Sequence, residues 1–452
     1  MSRRPASAPP WSAPPLLPVG FLLGLGFLSW APAPGAAAAE ESPKVHLGLG
    51  LEYEHFSYTN SGGGTLVDSR DAFTATPLLD WTPRDGVLLR YSGVLRKDYS
   101  EEERTRAFVY EDYLSLDRER WALRIGRQLV TWGRADSLRP TDVFQRHDFT
   151  DLIENREEGI EVVKLDFTRG ARTLELVWAP VFDPDVVSDR TDNRWTGIPT
   201  EADVAGLGRV RLSFEEDARQ RPPATLASGQ FGARLSGSAR GWDFAGMIYD
   251  GYDRIPTVIR RDVTALDPAG LTATLRLTPS HARIQVLGGD VATVCGAWGV
   301  RGEAAYTRTT DLAPGVTGVN DPYLRVTAGI DRTFSHPGLG ESLTLIAQYA
   351  LDTEPGKAGP IGSQDVDPWL HPYRQAFVLH TIWQLSEGFQ VQLRGYLNLV
   401  QKDFVLQPEI SWKPRDATTI LLGGASLGGR TDTFFGQYRD NDRVRLLIAY
   451  AF

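Results

Sequence analysis

The last ten residues alternate without a break. Val444, Leu446, Ile448, Tyr450 and Phe452 fall on one face, and Arg443, Arg445, Leu447, Ala449 and Ala451 on the other. A period of two means a strand with two unlike faces. The pattern recurs at 45–54, where Val45, Leu47, Leu49, Leu51 and Tyr53 alternate with His46, Gly48, Gly50, Glu52 and Glu54. It recurs again at 87–96 and 390–399. Soluble sandwiches alternate too, but their strands peak near ~5–6 residues. Runs of about ten match the length that crosses a bilayer at a tilt.

Composition agrees with a membrane wall built from strands. Hydrophobic residues make up 42% of the 452-residue chain, and the mean hydropathy is −0.26. A helical membrane protein would be far more apolar, whereas in a barrel only alternate residues meet lipid. After residue 39 no run of ~18 apolar residues exists. The 45 glycines and 29 prolines suit many turns. Short turns, such as Thr82–Gly86, Asp117–Arg120 and Thr168–Ala171, alternate with long stretches at 134–156, 181–229, 253–282 and 352–373. The expected fold is all-β: a transmembrane antiparallel up-and-down barrel of about 18 strands (16 to 20), with both termini periplasmic. The margin arises because 203–215 and 255–282 could each hide another hairpin. Trp81, Trp121, Phe167, Trp242, Trp298, Phe389, Trp412 and Phe452 adjoin the short turns, as an interfacial aromatic girdle requires. A terminal Phe closing an alternating strand resembles the C-terminal signal by which outer-membrane barrels are recognised for insertion. The barrel-assembly machinery and outer-membrane lipid are therefore expected partners.

Residues 1–39 read as a cleaved secretory signal. Arg3 and Arg4 precede the apolar stretch 16–31, and Ala37–Ala39 supply small residues at the cleavage site. Residues 40–452 would then form one barrel.

Several functions are excluded. The formal charge of −9 argues against nucleic acid. Cys295 is the only cysteine, so neither a disulfide framework nor a cysteine zinc site can form. The seven histidines are scattered, with no HExxH, G-x-S-x-G or P-loop. No catalytic residue, metal site or cofactor is expected. Asp183, Asp185, Asp189 and Asp192 could suit a hard cation, but their spacing fits no known loop.

If the apolar faces meet lipid, the other faces line a wet interior, because a charge at the bilayer midplane costs about 2–4 kcal/mol. Arg90, Arg96, Arg301, Glu303, Arg394, Glu409 and Arg445 point inward on this reading. Pairing 163–176 with residue numbers summing to 339 sets Lys164 opposite Glu175. Pairing 104–117 with a strand at 121–133, summing to 237, sets Tyr113 opposite Arg124 and Glu111 opposite Gly126. A bulge at Gly126 would return Arg127 inward, gathering Glu111, Arg124, Arg127 and Gln128. These charges either brace the wall or touch solute. Loop 134–156, with Asp136, Arg139 and Asp142 among its charges, either folds in as a constriction that filters by sign or stays solvated outside.

The segment Gly126-Arg127-Gln128, then Trp132-Gly133, Asp136 and Arg139-Pro140-Thr141-Asp142, resembles a porin-like outer-membrane family of unknown function. The likeness is strongest over about 105–180. A polar interior in a barrel of about 18 strands is wide enough for a channel, so passive or facilitated passage of small solutes is the expected function. The alternative, which the resemblance brings with it, is a non-channel barrel that serves export or assembly of an envelope lipid or polymer with a periplasmic or inner-membrane partner.

Overall fold

A computed structural model describes residues 43–60, 66–188, 193–196, 201–204, 206, 208–216, 221–223, 225–310, 322–336, 338, 340–356, 359–360 and 371–452. The predicted signal segment 1–39 lies outside these residues, as do Asp189, Asp192 and most of 357–370. No helix among the described residues is long and apolar enough to cross a membrane.

Strands appear in the order β1 (Lys44–Tyr58), β2 (Ser69–Arg84), β3 (Val87–Asp98), β4 (Arg106–Asp117), β5 (Trp121–Gln128), β6 (Arg146–Asp148), β7 (Arg156–Glu158) and β8 (Ile160–Arg169). Next come β9 (Arg172–Ala179), β10 (Glu201–Val204), β11 (Gly208–Glu216), β12 (Gln230–Ala239), β13 (Trp242–Tyr252), β14 (Thr257–Asp267), β15 (Thr272–Ser280) and β16 (Arg283–Cys295). The chain ends with β17 (Trp298–Thr309), β18 (Tyr323–Ser335), β19 (Ser342–Thr353), β20 (Gln375–Ser386), β21 (Phe389–Asn398), β22 (Phe404–Arg415), β23 (Thr418–Gly428) and β24 (Arg443–Ala451).

Eighteen of these strands make one closed antiparallel barrel. The wall runs β1-β2-β3-β4-β5-β8-β9-β12-β13, then β16 to β24 in order. It closes where Gly50 to Tyr58 of β1 pair Ala451 to Arg443 of β24. Leu49 and Phe452 exchange backbone hydrogen bonds across the same seam. Closure leaves no edge strand, so no open row of wall backbone groups faces hydrocarbon.

The outward faces carry the apolar residues. Leu47, Leu95, Ile248, Leu287, Leu422 and Val444 are exposed, as are Trp81, Trp121, Phe167, Trp242, Trp298, Trp412 and Phe452 beside the short turns. This is the predicted lipid belt and its girdle. The inward faces of the same strands are polar and largely buried.

The two stretches suspected of hiding hairpins do form strands, but not in the wall. β10, β11, β15 and β14 build a separate four-stranded sheet in which β11 and β15 run parallel. Their loops adjoin one another round the barrel, so they pair together and the wall count stays at eighteen. β5 also stops earlier than the expected 121–133. At residue 129 the chain leaves the wall, and the reason lies inside the barrel.

Candidate functional site

The segment 129–159 folds into the lumen, and its apolar residues draw it there. Trp132 and Phe144 are buried, edge to face, with centroids 5.1 Å apart. They join a core of Val130, Ile160, Val162, Val177, Ala179, Met247, Tyr249, Val286 and Ala305. Most of that core comes from inward faces at the ends of β8, β9, β13, β16 and β17 next to the long loops. One side of the lumen is therefore a hydrophobic core and not water. Gly232 makes room for it: a Cβ there would come within 2.6 Å of Phe144 and 2.7 Å of Trp132.

Glu303 on β17 fixes the start of the segment. Its carboxylate accepts the backbone N–H groups of Arg134, Ala135 and Thr141 and the Thr141 hydroxyl, at 2.7–3.2 Å. Gly133 permits the approach: it has φ +90°, and a Cβ would lie 2.5 Å from Glu303 Oε1. Arg134 reaches Asp290 at 2.6 Å. Asp136 pairs Arg301 at 3.0 Å, and Ser137 donates to Gln348. Arg139 pairs Asp142 and Glu157.

The far end is pinned half-way round the wall. Asp151 meets Arg443 of β24 at 2.5 Å and Arg70 of β2 at 3.2 Å, with Arg104 at 4.0 Å. Glu154 meets Arg445 at 3.0 Å. β2 and β17 lie on opposite sides of the closed wall, so the segment is a strap across the lumen. Between its ends, β6 and β7 form a small hairpin; beside it the Phe149 N–H donates to the Val186 carbonyl and the Val186 N–H to the His147 carbonyl. A second strap lies against the first. Asn193 donates to Thr150 O, and Arg194 reaches Asn60 and Val67. Trp195 is fully buried against Arg443, Tyr438 and Leu427.

Burial sets the electrostatics of the straps. Asp142 is pushed up to about 7 by burial, against the pull of Arg139. Asp185, which accepts the His147 N–H, is likewise raised to about 7 by burial. Burial lowers His147 to about 4. Burial would also raise Asp151, but Arg443, Arg104 and Arg70 together hold it far below the usual carboxylate range.

The wall residues named from sequence are mostly paired with one another. Arg90 makes two 2.8 Å hydrogen bonds to Asp80 and lies 3.7 Å from Glu111. Glu111 also accepts the Leu129 N–H where the strap leaves the wall. Arg96 pairs Glu54 at 3.2 Å. Lys164 pairs Glu175 at 3.1 Å, and Arg234 carries the chain on to Asp290. Arg124 lies over the Tyr113 ring, and Gln128 is buried inside. Both expected registers are shifted by two. Leu116 faces Leu123 and Leu165 faces Leu176, so Asp166 and not Lys164 is directly opposite Glu175. Arg127 is a correction. It shares the outward face with Ile125, pairs Glu161 and Asp183 at 3.1 Å each, and takes no part in an inner cluster. Gly126 has φ +126° but inserts no extra residue into the β5–β8 ladder, so nothing turns Arg127 inward. Of the loop aspartates, Asp183 is held by Arg127 and Asp185 by the His147 N–H.

Two openings flank the strap among the described residues. A mid-barrel cavity of about 350 Å³ lies between residues 153–156 of the strap and the wall β20–β24, lined by Glu154, Arg156, His380, Arg394, Glu409 and Arg445. A vestibule of about 390 Å³ lies on the long-loop side of the strap. Asn155 lines both. Arg156 and Arg394 make no ion pair among the described residues. Sequence reading named Arg394 and counted Asp151 among the charges of loop 134–156, but missed Trp132, Phe144 and His380 as parts of the site. Apolar residues on the nominally polar faces, such as Val177, Met247 and Val286, were the available signal for the strap.

The eighteen-stranded barrel has known counterparts. It is a fold of outer-membrane proteins. The chain superimposes on the outer membrane protein opdK of Pseudomonas aeruginosa with a TM-score of 0.51 and 10% identity, covering 90% of this chain and 98% of that one. Against Pseudomonas aeruginosa OccK2 (OpdF), the TM-score is 0.51 at 11% identity, covering 90% and 97%. The same protein in complex with glucuronate gives 0.50 at 12%, covering 90% and 98%. No protein-family model matches the sequence, and no curated protein sequence does.

Proposed function

We propose that this protein is an outer-membrane channel for passive or facilitated passage of small solutes. The observation that carries this reading is the mid-barrel cavity. It is polar, it lies between strap and wall, and it shares Asn155 with the lining of the vestibule. Lipid-facing apolar residues surround the wall, so the outer membrane is its place and membrane lipid its surroundings. The glucuronate held by OccK2 makes a small hydroxylated acid the first solute to test here. The Gly126–Gly133 segment, which begins the strap, supports grouping the chain with porin-like proteins.

The direct test is electrical. Purified barrel added to a planar bilayer should give stepwise, lasting conductance, and liposomes carrying it should swell in solutes small enough to pass. Inserted protein that passes neither ions nor small sugars would overturn the reading.

A further inference from the structure

The vestibule differs in chemistry from the cavity below it. Three arginines line it, and each is already engaged. Arg139 pairs Asp142 and Glu157, Arg254 donates to the Asp183 carbonyl, and Arg325 makes a two-pronged bond to Asp352 at 2.9 and 3.0 Å. At Arg139 and Arg325 an anion would have to displace a carboxylate already in place. Arg254 forms no ion pair among the described residues and keeps Nε and Nη2 unmatched, but it is buried, and Asp185 and Asp253 line the space beside it. The vestibule therefore offers an anion a single buried guanidinium set among carboxylates.

It offers more to a hydroxylated ring. Tyr373 and Tyr396 lie side by side on the wall, with centroids 5.7 Å apart and planes inclined by 31°. Neither hydroxyl makes a hydrogen bond among the described residues. On the strap, Gln145 is 97% buried; its Nε2 is used on Glu157, but its Oε1 accepts nothing. Asn155, exposed between the two cavities, has no side-chain partner either. A buried acceptor left unmatched is costly, so a donor supplied from outside would be favoured. Aromatic rings with unmatched hydroxyls on one side and unmatched amide groups on the other suit a ring with C–H faces and O–H edges. The volume of about 390 Å³ sits at the small end of ligand pockets, roughly 300–1,000 Å³.

We infer that the vestibule is a binding station for a neutral sugar, held between Tyr373/Tyr396 and Gln145/Asn155. The inference deepens the channel reading by placing a solute site ahead of the aperture, yet its test does not need conduction. Titration calorimetry on the full chain in detergent, with glucose and maltose as neutral probes and glucuronate as the charged one, reads it directly. Saturable heat is expected for a neutral sugar. Tyr396→Phe and Gln145→Leu, each removing one hydrogen-bonding group, should weaken it about three- to tenfold. Tyr396→Ala should weaken it further. Thermal melting of each variant separates lost binding from lost folding. Three results overturn the inference: no saturable binding of either neutral sugar, affinity unchanged in both Tyr396→Phe and Gln145→Leu, or tighter binding of glucuronate than of neutral sugar. Sugar binding by a barrel that conducts nothing would sink the channel reading and leave this one standing; conduction without sugar binding would do the reverse.

Discussion

Asp151, at the far end of the strap, and Arg443, on the last strand of the wall, form a 2.5 Å ion pair in which both side chains are almost wholly buried. The pair does not stand alone. Arg70 and Arg104 share the same carboxylate, and Glu154 answers Arg445 beside it. Removing one partner of a buried pair costs about 3–5 kcal/mol, because the other charge is left uncompensated. Asp151→Ala removes a carboxylate shared by three guanidinium groups and leaves them the more distant Glu154, with Asp98 and Glu101 for Arg70 and Arg104. It should lower thermal stability by an amount in that range and free the strap end, raising single-channel conductance. A variant with unchanged melting and unchanged conductance would show that the strap does not depend on this anchor.

The opposite anchor should respond differently. Glu303 uses both carboxylate oxygens, Oε2 for Arg134 and Ala135 and Oε1 for both groups of Thr141. In Glu303→Gln one of these oxygens becomes an NH₂ that faces donors. Charge-assisted bonds of this kind contribute about 1.5–3 kcal/mol. Exchange of the Arg134, Ala135 and Thr141 amides with deuterium should accelerate, while amides of the wall strands away from the strap keep their protection. Uniform acceleration across the barrel would refute a local role.

Acid should tighten the straps. Asp142 and Asp185 have pKa values raised to about 7 by burial, whereas an unfolded aspartate titrates near ~3.9. Between these values the folded protein holds protons that the unfolded chain releases, so stability falls as pH rises from about 4 to 7. His147 works the other way: its pKa is lowered to about 4, so it adds stability as pH rises from about 4 to 6.5. Two carboxylates oppose one imidazole, and above pH 6.5 the carboxylates act alone. Strap amides should therefore be better protected, relative to their intrinsic exchange rates, at pH 5 than at pH 8. Asp142→Asn and Asp185→Asn together should reverse the slope between pH 4 and 6.5. A double variant that kept the original slope would contradict this assignment.

The wall was legible in the sequence and the strap only partly so, for a physical reason. Lipid enforces alternation on every wall strand, so eighteen strands and their girdle could be counted from the chain. Register was less constrained. A slip of two leaves each side chain on its own face, which is why Leu116 could be set against Trp121 when it faces Leu123. Arg127 misled because an outward arginine looked too costly, yet Glu161 and Asp183 neutralise it where it stands. The in-folding of 129–159 depends on Trp132 and Phe144 meeting Val177, Met247 and Val286, contacts far apart in sequence. The charged composition of the segment described both a solvated loop and a strap equally well.

The sign of the aperture rests on the few charges there without partners. Arg443 and Arg445 line the mid-barrel cavity but are matched by Asp151, Glu54 and Glu154. That leaves Arg156 and Arg394 facing Glu409, a small excess of positive charge in a narrow polar space. Rings of fixed charge select ions by sign, and low-dielectric walls strengthen the effect. In a potassium chloride gradient the reversal potential should show a mild preference for chloride. Arg394→Glu changes the local charge by two units and should shift the preference to potassium, whereas Glu409→Gln should strengthen the preference for chloride. Arg90→Gln makes a useful contrast, because Arg90 is already bonded to Asp80 at 2.8 Å and its loss should move the reversal potential less than Arg394→Glu does. Equal shifts from Arg90→Gln and Arg394→Glu would mean that the lumen as a whole sets the sign, and that the aperture between strap and wall does not.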